Sequence, residues 1–339
     1  MNNVFCTLFN SNYLDKGLAL YKSLEKKCEM FRIYVFAFDA VTYNVLSKMN
    51  LKNAVIISMD DFENEDLKRV KTKRSNAEYC WTCTPFTIDY VFEKYGEKIC
   101  TYIDADIYFY CDPVEIFSEM NSTDSSIVIV EHRFPDRQAE KKNKIHGKYC
   151  VEFNTFVNNE YGRKCLSWWK DSCYEKCHYS KKTNECVGDQ TYLESFESLF
   201  EGVNVTSILG AGVAPWNSSV YSYKFNECKE IIITKNKTEG KLIFYHFQNI
   251  RYLPFGLINI NSGTRNKFVK KNIYVPYLEE IERIRNYLLK NYGIKFSRKR
   301  ALYKNRILGF IQNYIMPFKI KNIGDITKIR KEKLNDSVQ

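Results

Sequence analysis

The run Ile99-Cys100-Thr101-Tyr102-Ile103-Asp104-Ala105-Asp106-Ile107-Tyr108-Phe109-Tyr110-Cys111-Asp112-Pro113 puts two carboxylates one residue apart at the end of an apolar, β-prone segment. Carboxylates are costly to desolvate without a partner. On an extended backbone residues i and i+2 face the same way, so Asp104 and Asp106 are expected to reach one cation. An ion held by few protein oxygens completes its shell elsewhere, and a phosphate group suits that role. The bland alternative is a pair of caps at a strand-to-loop turn.

Outward from this run the chain alternates. Val4–Phe9, Arg32–Phe38 and Ala54–Ser58 read as strands, with helices over Leu14–Cys28 and Ala40–Met49 between them. Such β-α-β-α-β alternation predicts an α/β domain with a mostly parallel central sheet and helices on both faces. The loop after the first strand then lies at the carboxyl end of the sheet, where open α/β sheets bind ligands. Glu78–Tyr95 reads as a helix containing Pro85. Ser126–Val130 and Phe153–Val157 read as strands, and His132–Tyr149 as a polar, basic, mobile loop. Arg163–Cys177 is helical in pattern, Gly188-Asp189-Gln190 opens a helix of about ten residues, and Leu242–Phe247 is a strand ending near His246.

The 339 residues, 45% of them hydrophobic, with 25 Tyr and 23 Phe, suffice for a sizeable core and exclude a disordered chain. The formal net charge of +11 is concentrated toward the C-terminus, which argues for a specialised basic tail and not for one diffuse polyanion-binding face. The division expected is a first domain over 1–255 and a basic, amphipathic helical extension over 256–339. Lys295–Lys333 interleaves Lys and Arg with Ile307, Leu308, Phe310, Ile311, Tyr314, Ile315 and Phe318. That pattern suits an anionic membrane surface, or simple packing on the main domain. Twelve Cys without a signal-peptide pattern read as reduced thiols in a cytoplasmic protein, peripheral at the inner face of the cell membrane if the tail binds lipid. Cys80 with Cys83, and Cys173 and Cys177 with His178 and Cys186, lack the regular spacing of a zinc site and read as free thiols.

His246 is a candidate third ligand, and an imidazole beside two carboxylates would favour Mn²⁺ over Mg²⁺. Taken alone, a histidine after an apolar strand is more often structural. Asp189 and Gln190 follow a glycine that allows close backbone approach, and read either as a helix start or as a polar pair aimed into a site. Trp216, after Gly210-Ala211-Gly212, is either a core residue or a platform for a sugar ring.

Four of these features occur in the order seen in glycosyltransferases of the GT-A fold. The chain resembles the retaining family 8 type of those enzymes, in a bacterial subgroup, from Val4 to about Arg251. The motifs are Val4–Phe9 followed by Asn10-Ser11-Asn12-Tyr13-Leu14, then Asp104-Ala105-Asp106, Gly188-Asp189-Gln190 and His246-Phe247. The resemblance implies a Rossmann-like mixed sheet and a nucleotide-sugar donor, a UDP-sugar by preference. Phe9, Asn10, Asn12 and Tyr13 would then hold the nucleoside, with the Tyr stacked on uracil. Asp104, Asp106 and His246 would hold Mn²⁺ (or Mg²⁺). Asp189 and Gln190 would lie at the donor sugar as catalytic residues. Arg74, Asp104, Ala105, Trp216 and Arg251 complete the expected donor site.

The sequence also departs from that pattern. Asn10 stands where the family carries an acid, and Asn249 and Tyr252 replace a Gly and a Lys. The implied reaction is metal-dependent glycosyl transfer, with retention, to a hydroxyl of a glycan or lipid-linked glycan of the cell envelope. Nucleic acid is not an expected partner. The alternatives are a sugar-nucleotide nucleotidyltransferase, which would need a Gly-rich phosphate loop near the N-terminus, and a non-enzymatic sugar- or nucleic-acid-binding protein.

Overall fold

The computed structural model describes residues 3–180, 185–252, 258–260 and 266–296. The chain divides into two compact units, Met1–His246 and Phe247–Gln339.

The first unit opens with β1 (Asn3–Phe9), α1 (Leu14–Lys27), β2 (Phe31–Ala37), α2 (Ala40–Met49) and β3 (Ala54–Ser58). The short helices α3 (Met59–Phe62) and α4 (Glu65–Lys71) lead to the long α5 (Asn76–Tyr95). Then come β4 (Ile99–Ile103), β5 (Ile107–Phe109), α6 (Val114–Ser122), β6 (Ile127–Glu131), α7 (Asp136–His146), β7 (Tyr149–Val157) and α8 (Glu160–Glu175). The small pair β8 (His178–Ser180) and β9 (Glu185–Val187) precedes α9 (Asp189–Tyr192), α10 (Phe196–Leu199) and β10 (Val203–Val205). A meander of β11 (Ser222–Phe225), β12 (Ile231–Lys235) and β13 (Thr238–Lys241) is followed by β14 (Phe244–His246).

Seven strands form the central sheet in the order β10-β6-β7-β4-β1-β2-β3. All neighbours run parallel except β7, which is antiparallel to both β4 and β6. This is the mixed, mostly parallel sheet expected. Its strands are apolar along their length because helices cover both faces: β4 and β6 are buried at almost every position. In α1, Leu14, Leu18, Tyr21 and Leu24 recur at helical spacing and are all buried. α5 starts on a capping box, Ser75 with Glu78, and ends on Gly96 in the left-handed conformation.

The reversal of β7 sets up the site. Because it runs against β4, its first residues lie at the same edge as the end of β4: Ile103 pairs with Phe153, and the Asp104 amide donates to the Glu152 carbonyl at 3.1 Å. Toward β6 the ladder is irregular, with Val128 opposite Thr155 and Val130 opposite Cys150. The Val151–Asn154 stretch therefore bulges away from β6 while staying in register with β4.

Several expectations need correction. The Asp-x-Asp pair is not on a continuous strand. β4 ends at Ile103, and a turn closed by the Ile107 amide on the Asp104 carbonyl separates it from β5. The carboxylates converge through that turn and not through strand periodicity. The expected loop His132–Tyr149 contains α7, which buries no side chain and so shows no apolar period. The expected ten-residue helix after Gly188 is broken into α9, a 3-10 turn and α10. The Leu242–Phe247 strand shortens to β14, which pairs with β5. One expectation in this region needs no correction: Cys80, Cys83, Cys173 and Cys177 are free thiols, as read from their spacing.

The second unit holds β15 (Arg251–Tyr252) paired with β16 (Ile258–Asn259), then α11 (Lys267–Val269), a π-helical turn over Lys270–Tyr274, and α12 (Val275–Tyr292). Phe247 stacks on Tyr277, with ring centroids 3.7 Å apart. α12 realises the amphipathic pattern of Leu278–Tyr292 and stops at Gly293. Residues 297–339, which include nearly all of the basic Lys295–Lys333 stretch, lie outside the described residues. Among the described residues no helix is long and apolar enough to cross a membrane.

Candidate active site

At the carboxyl edge of β4 and β1, three carboxylates, an imidazole and an ammonium come together. His246 ends β14, and the pairing of His246 with Ile107 carries it to the turn that holds Asp104 and Asp106. Its Nε2 lies 3.0 Å from Asp106 Oδ1 and 3.7 Å from Asp104 Oδ2. Its Nδ1 lies 2.6 Å from Glu152 Oε2. Tyr102, next to last in β4, donates its hydroxyl to Asp104 Oδ1 at 3.0 Å. Lys16, in the first turn of α1, holds its Nζ 3.6 Å from Asp106 Oδ2 and 3.9 Å from the centroid of the Tyr13 ring. One ligand atom from each of Asp104, Asp106 and His246 falls within 4.8 Å of the others.

The charges decide how these groups ionise. Burial pushes the Asp106 carboxyl up, but His246 and then Lys16 outweigh it and hold it well below the usual carboxylate range. Asp104 is pushed up to about 6, first by desolvation, with Asp106 and Glu152 adding to it against the opposing pull of His246. Burial would lower His246, yet Asp106, Cys150 and Glu152 raise it well above its ordinary value.

The set fits a divalent cation. Two carboxylates and an imidazole nitrogen are a borderline donor set. The Nδ1 bond to Glu152 is the second-layer contact that orients a ligating histidine and leaves Nε2 for an ion. Glu152 itself is fully buried, and its Oε1 has no hydrogen-bond partner among the described residues. Cys150, Glu152 and His246 also offer atoms within 4.8 Å of one another, but the two aspartates give the harder oxygen set.

Other sequence-predicted residues surround this cluster. Phe9 is buried at the end of β1; its ring would meet a Cβ on Gly17 at 2.3 Å, so the first turn of α1 needs glycine there. The Asn10 side chain accepts from the Asn12 amide at 3.1 Å, and the Asn10 carbonyl from the Tyr13 amide at 2.8 Å, which curls the loop. Tyr13 stays 43% exposed. Ala105 is buried in the turn between the carboxylates. Trp216 sets its ring edge-on to His246, with centroids 5.3 Å apart, and its Nε1 donates to the His132 carbonyl at 3.0 Å.

Asp189 is buried, and accepts from the Thr84 hydroxyl at 2.7 Å and the Gln190 amide at 2.9 Å. Its carboxyl is pushed up to about 7, mainly by burial and then by the charge of Asp104, against the Thr84 bond. The Gln190 side chain donates to the His146 carbonyl at the end of α7. The Arg74 guanidinium is occupied otherwise, by the Thr82 hydroxyl and the Cys173 and Tyr174 carbonyls at the end of α8. Arg251 is exposed and belongs to the second unit.

No family profile matches the chain. Over 288 residues it is 31% identical to the uncharacterized protein YfnF of Bacillus subtilis (strain 168), covering 83% of this chain and 90% of that one. The chain belongs to the YfnF family. The uncharacterized protein YfnD of the same organism is 27% identical over 283 residues, 82% of this chain and 88% of that one. Among solved structures the chain is similar to galactosyltransferase LgtC in complex with donor and acceptor sugar analogs, at a TM-score of 0.48 and 14% identity, covering 82% of this chain and 95% of that one.

Three residues of this YfnF-family chain escaped the sequence reading. Glu152 is a lone carboxylate in the buried strand β7, and that oddity was its signal. Lys16 is one charge among several in a helical stretch and carries no signal of its own in the sequence. Asp39 caps α2 through the Thr42 amide and also accepts from the Ser11 amide, at 2.8 and 2.9 Å, tying the loop after β1 to the end of β2.

Proposed function

We propose that this YfnF-family chain is a glycosyltransferase that moves a sugar, with retention, from a nucleoside diphosphate donor to a hydroxyl of a glycan or lipid-linked glycan. The convergence of Asp104, Asp106 and His246 at the carboxyl edge of the sheet carries this reading. The order of the four sequence motifs supports it, and makes a UDP-sugar the preferred donor. Asp104 and Asp106 would hold Mn²⁺ or Mg²⁺ together with His246 Nε2, while Glu152 keeps Nδ1 occupied. When bound, such an ion supplies Lewis-acid stabilisation of the negative charge on the departing nucleoside diphosphate.

The remaining roles fall to the chain. Tyr13 presents an exposed ring for the nucleobase. Asp189 orients donor-sugar hydroxyls. The Gln190 amide shields one face of the anomeric carbon; an amide is a poor nucleophile, so the acceptor attacks from the front and its proton passes to the leaving phosphate. Trp216 borders His246 as a wall for the sugar. A cytoplasmic setting with residues 295–333 on an anionic membrane face belongs to the same reading, supported by the sequence pattern alone.

Thermal shift with nucleoside diphosphates, with and without Mn²⁺, tests the proposal. A shift with UDP and Mn²⁺ together that exceeds the sum of the two alone is expected. No ion-dependent shift with any nucleoside diphosphate would sink it.

A further inference from the structure

Lys16 is an unusual cation for a helix surface. Its side chain is only 11% exposed, one face of the Tyr13 ring covers its ammonium, and its ion-pair partner is Asp106. A buried ammonium is tolerated only while paired. Here the partner is a carboxylate expected to receive a divalent ion. A doubly charged cation on Asp106 would take over most of that carboxylate's field and repel an ammonium a few ångströms away. Lys16 then needs another anion. At 3.6 Å the Lys16–Asp106 contact is an ion pair without a tight hydrogen bond, and an ammonium carries three donors on a flexible stem. The ammonium can therefore swing without unfolding α1.

We propose that Lys16 is a diphosphate-binding residue that serves as the counter-ion of Asp106 until a divalent cation arrives, and then passes to the diphosphate of the incoming nucleotide. The proposal rests on the donor reading above. Position supports it: Lys16 bridges the ring offered to the nucleobase and the carboxylate offered to the ion, and in an ion-bound nucleoside diphosphate the diphosphate lies between the nucleoside and the ion. Lys16 also gives this part of the site positive charge from within the first unit.

The exchange has a signature that a purely structural lysine lacks, because removing the ammonium moves two affinities in opposite directions. Calorimetry on the full chain would compare wild type, Lys16→Met and Lys16→Arg. Lys16→Met is expected to bind Mn²⁺ alone about two- to fivefold more tightly, since a competing cation has left Asp106. It is expected to bind UDP in the presence of Mn²⁺ roughly 10- to 100-fold more weakly, with uridine unaffected. Lys16→Arg is expected to keep most of the UDP affinity. Should the methionine variant not fold, Lys16→Gln, which retains a donor for Asp106 without the charge, makes the same comparison. Loss of Mn²⁺ and UDP affinity together would make Lys16 a structural prop and overturn the proposal. Unchanged UDP affinity in Lys16→Met, beside a wild type that binds UDP, would overturn this proposal alone. A wild type that binds no nucleoside diphosphate would overturn the donor reading and this proposal with it.

Discussion

Two corners of the first unit hold buried aspartates, and they behave in opposite ways. Asp106 sits between His246 and Lys16, whose positive charges outweigh burial and keep it ionised. Among the described residues Asp189 receives neutral donors, the Thr84 hydroxyl and the Gln190 amide, and burial pushes it up to about 7. The difference teaches that residue type does not assign the role here. The first corner is electrostatically ready for a cation. The second is ready to share a proton or to take hydrogen bonds from sugar hydroxyls.

Neutralising the charged corner should have the largest effect. Asp106→Asn is expected to cut glycosyl transfer by about a thousandfold or more and to abolish ion-dependent nucleotide binding, with circular dichroism unchanged. A variant that keeps full turnover would erase the distinction between the corners.

Next comes the support behind His246. Glu152→Gln keeps the shape but removes the charge that fixes the imidazole, so Mn²⁺ affinity is expected to fall roughly 10- to 100-fold. Calorimetric titration checks this; an unchanged affinity would mean that Asp104, Asp106 and His246 need no backing.

The uncharged corner leaves its mark on stability instead of turnover, in pH dependence. With its folded pKa raised to about 7 from 3.8, Asp189 keeps a proton in the fold that the unfolded chain has lost. Its contribution to stability is thus full below pH ~4 and is lost as pH rises toward 7. Asp189→Asn should flatten that decline, so that the variant gains on wild type by on the order of 2 to 4 kcal/mol across the window. Urea unfolding at pH 4.5, 6 and 7.5 measures it, and parallel curves would show that Asp189 is ionised in the fold.

Much of the sheet was legible because helix and strand periods are local. β1 to β4 and α1, α2 and α5 follow from apolar spacing and capping residues. Asp104, Asp106 and His246 were legible as unusual groups at the ends of apolar runs. What the sequence hid depends on partners distant in the chain. Glu152 matters only because β7 runs antiparallel and brings it beside Asp104. Lys16 matters only because α1 packs its first turn against the turn after β4. α7 reads as a loop because a helix that buries no side chain carries no apolar period, and in the β11–β13 meander only β12, with Ile231, Ile232 and Ile233, is apolar, between the short and polar β11 and β13.

The bulge of β7 at Val151–Asn154 has a practical consequence for anyone transplanting this chemistry. The two aspartates and the histidine could be copied onto another sheet as three residues in a turn and a strand. Glu152 could not, because its carboxylate reaches His246 from a strand that keeps step with β4 while parting from β6. It also lies against Gly212, where a Cβ would meet Glu152 Oε1 at 3.0 Å and a Val130 methyl at 2.4 Å, at a φ of +76°. A graft would therefore have to carry a ladder defect and a left-handed glycine along with these residues, and a recipient sheet of regular pleat would accept the two aspartates and the histidine but leave the histidine free to turn.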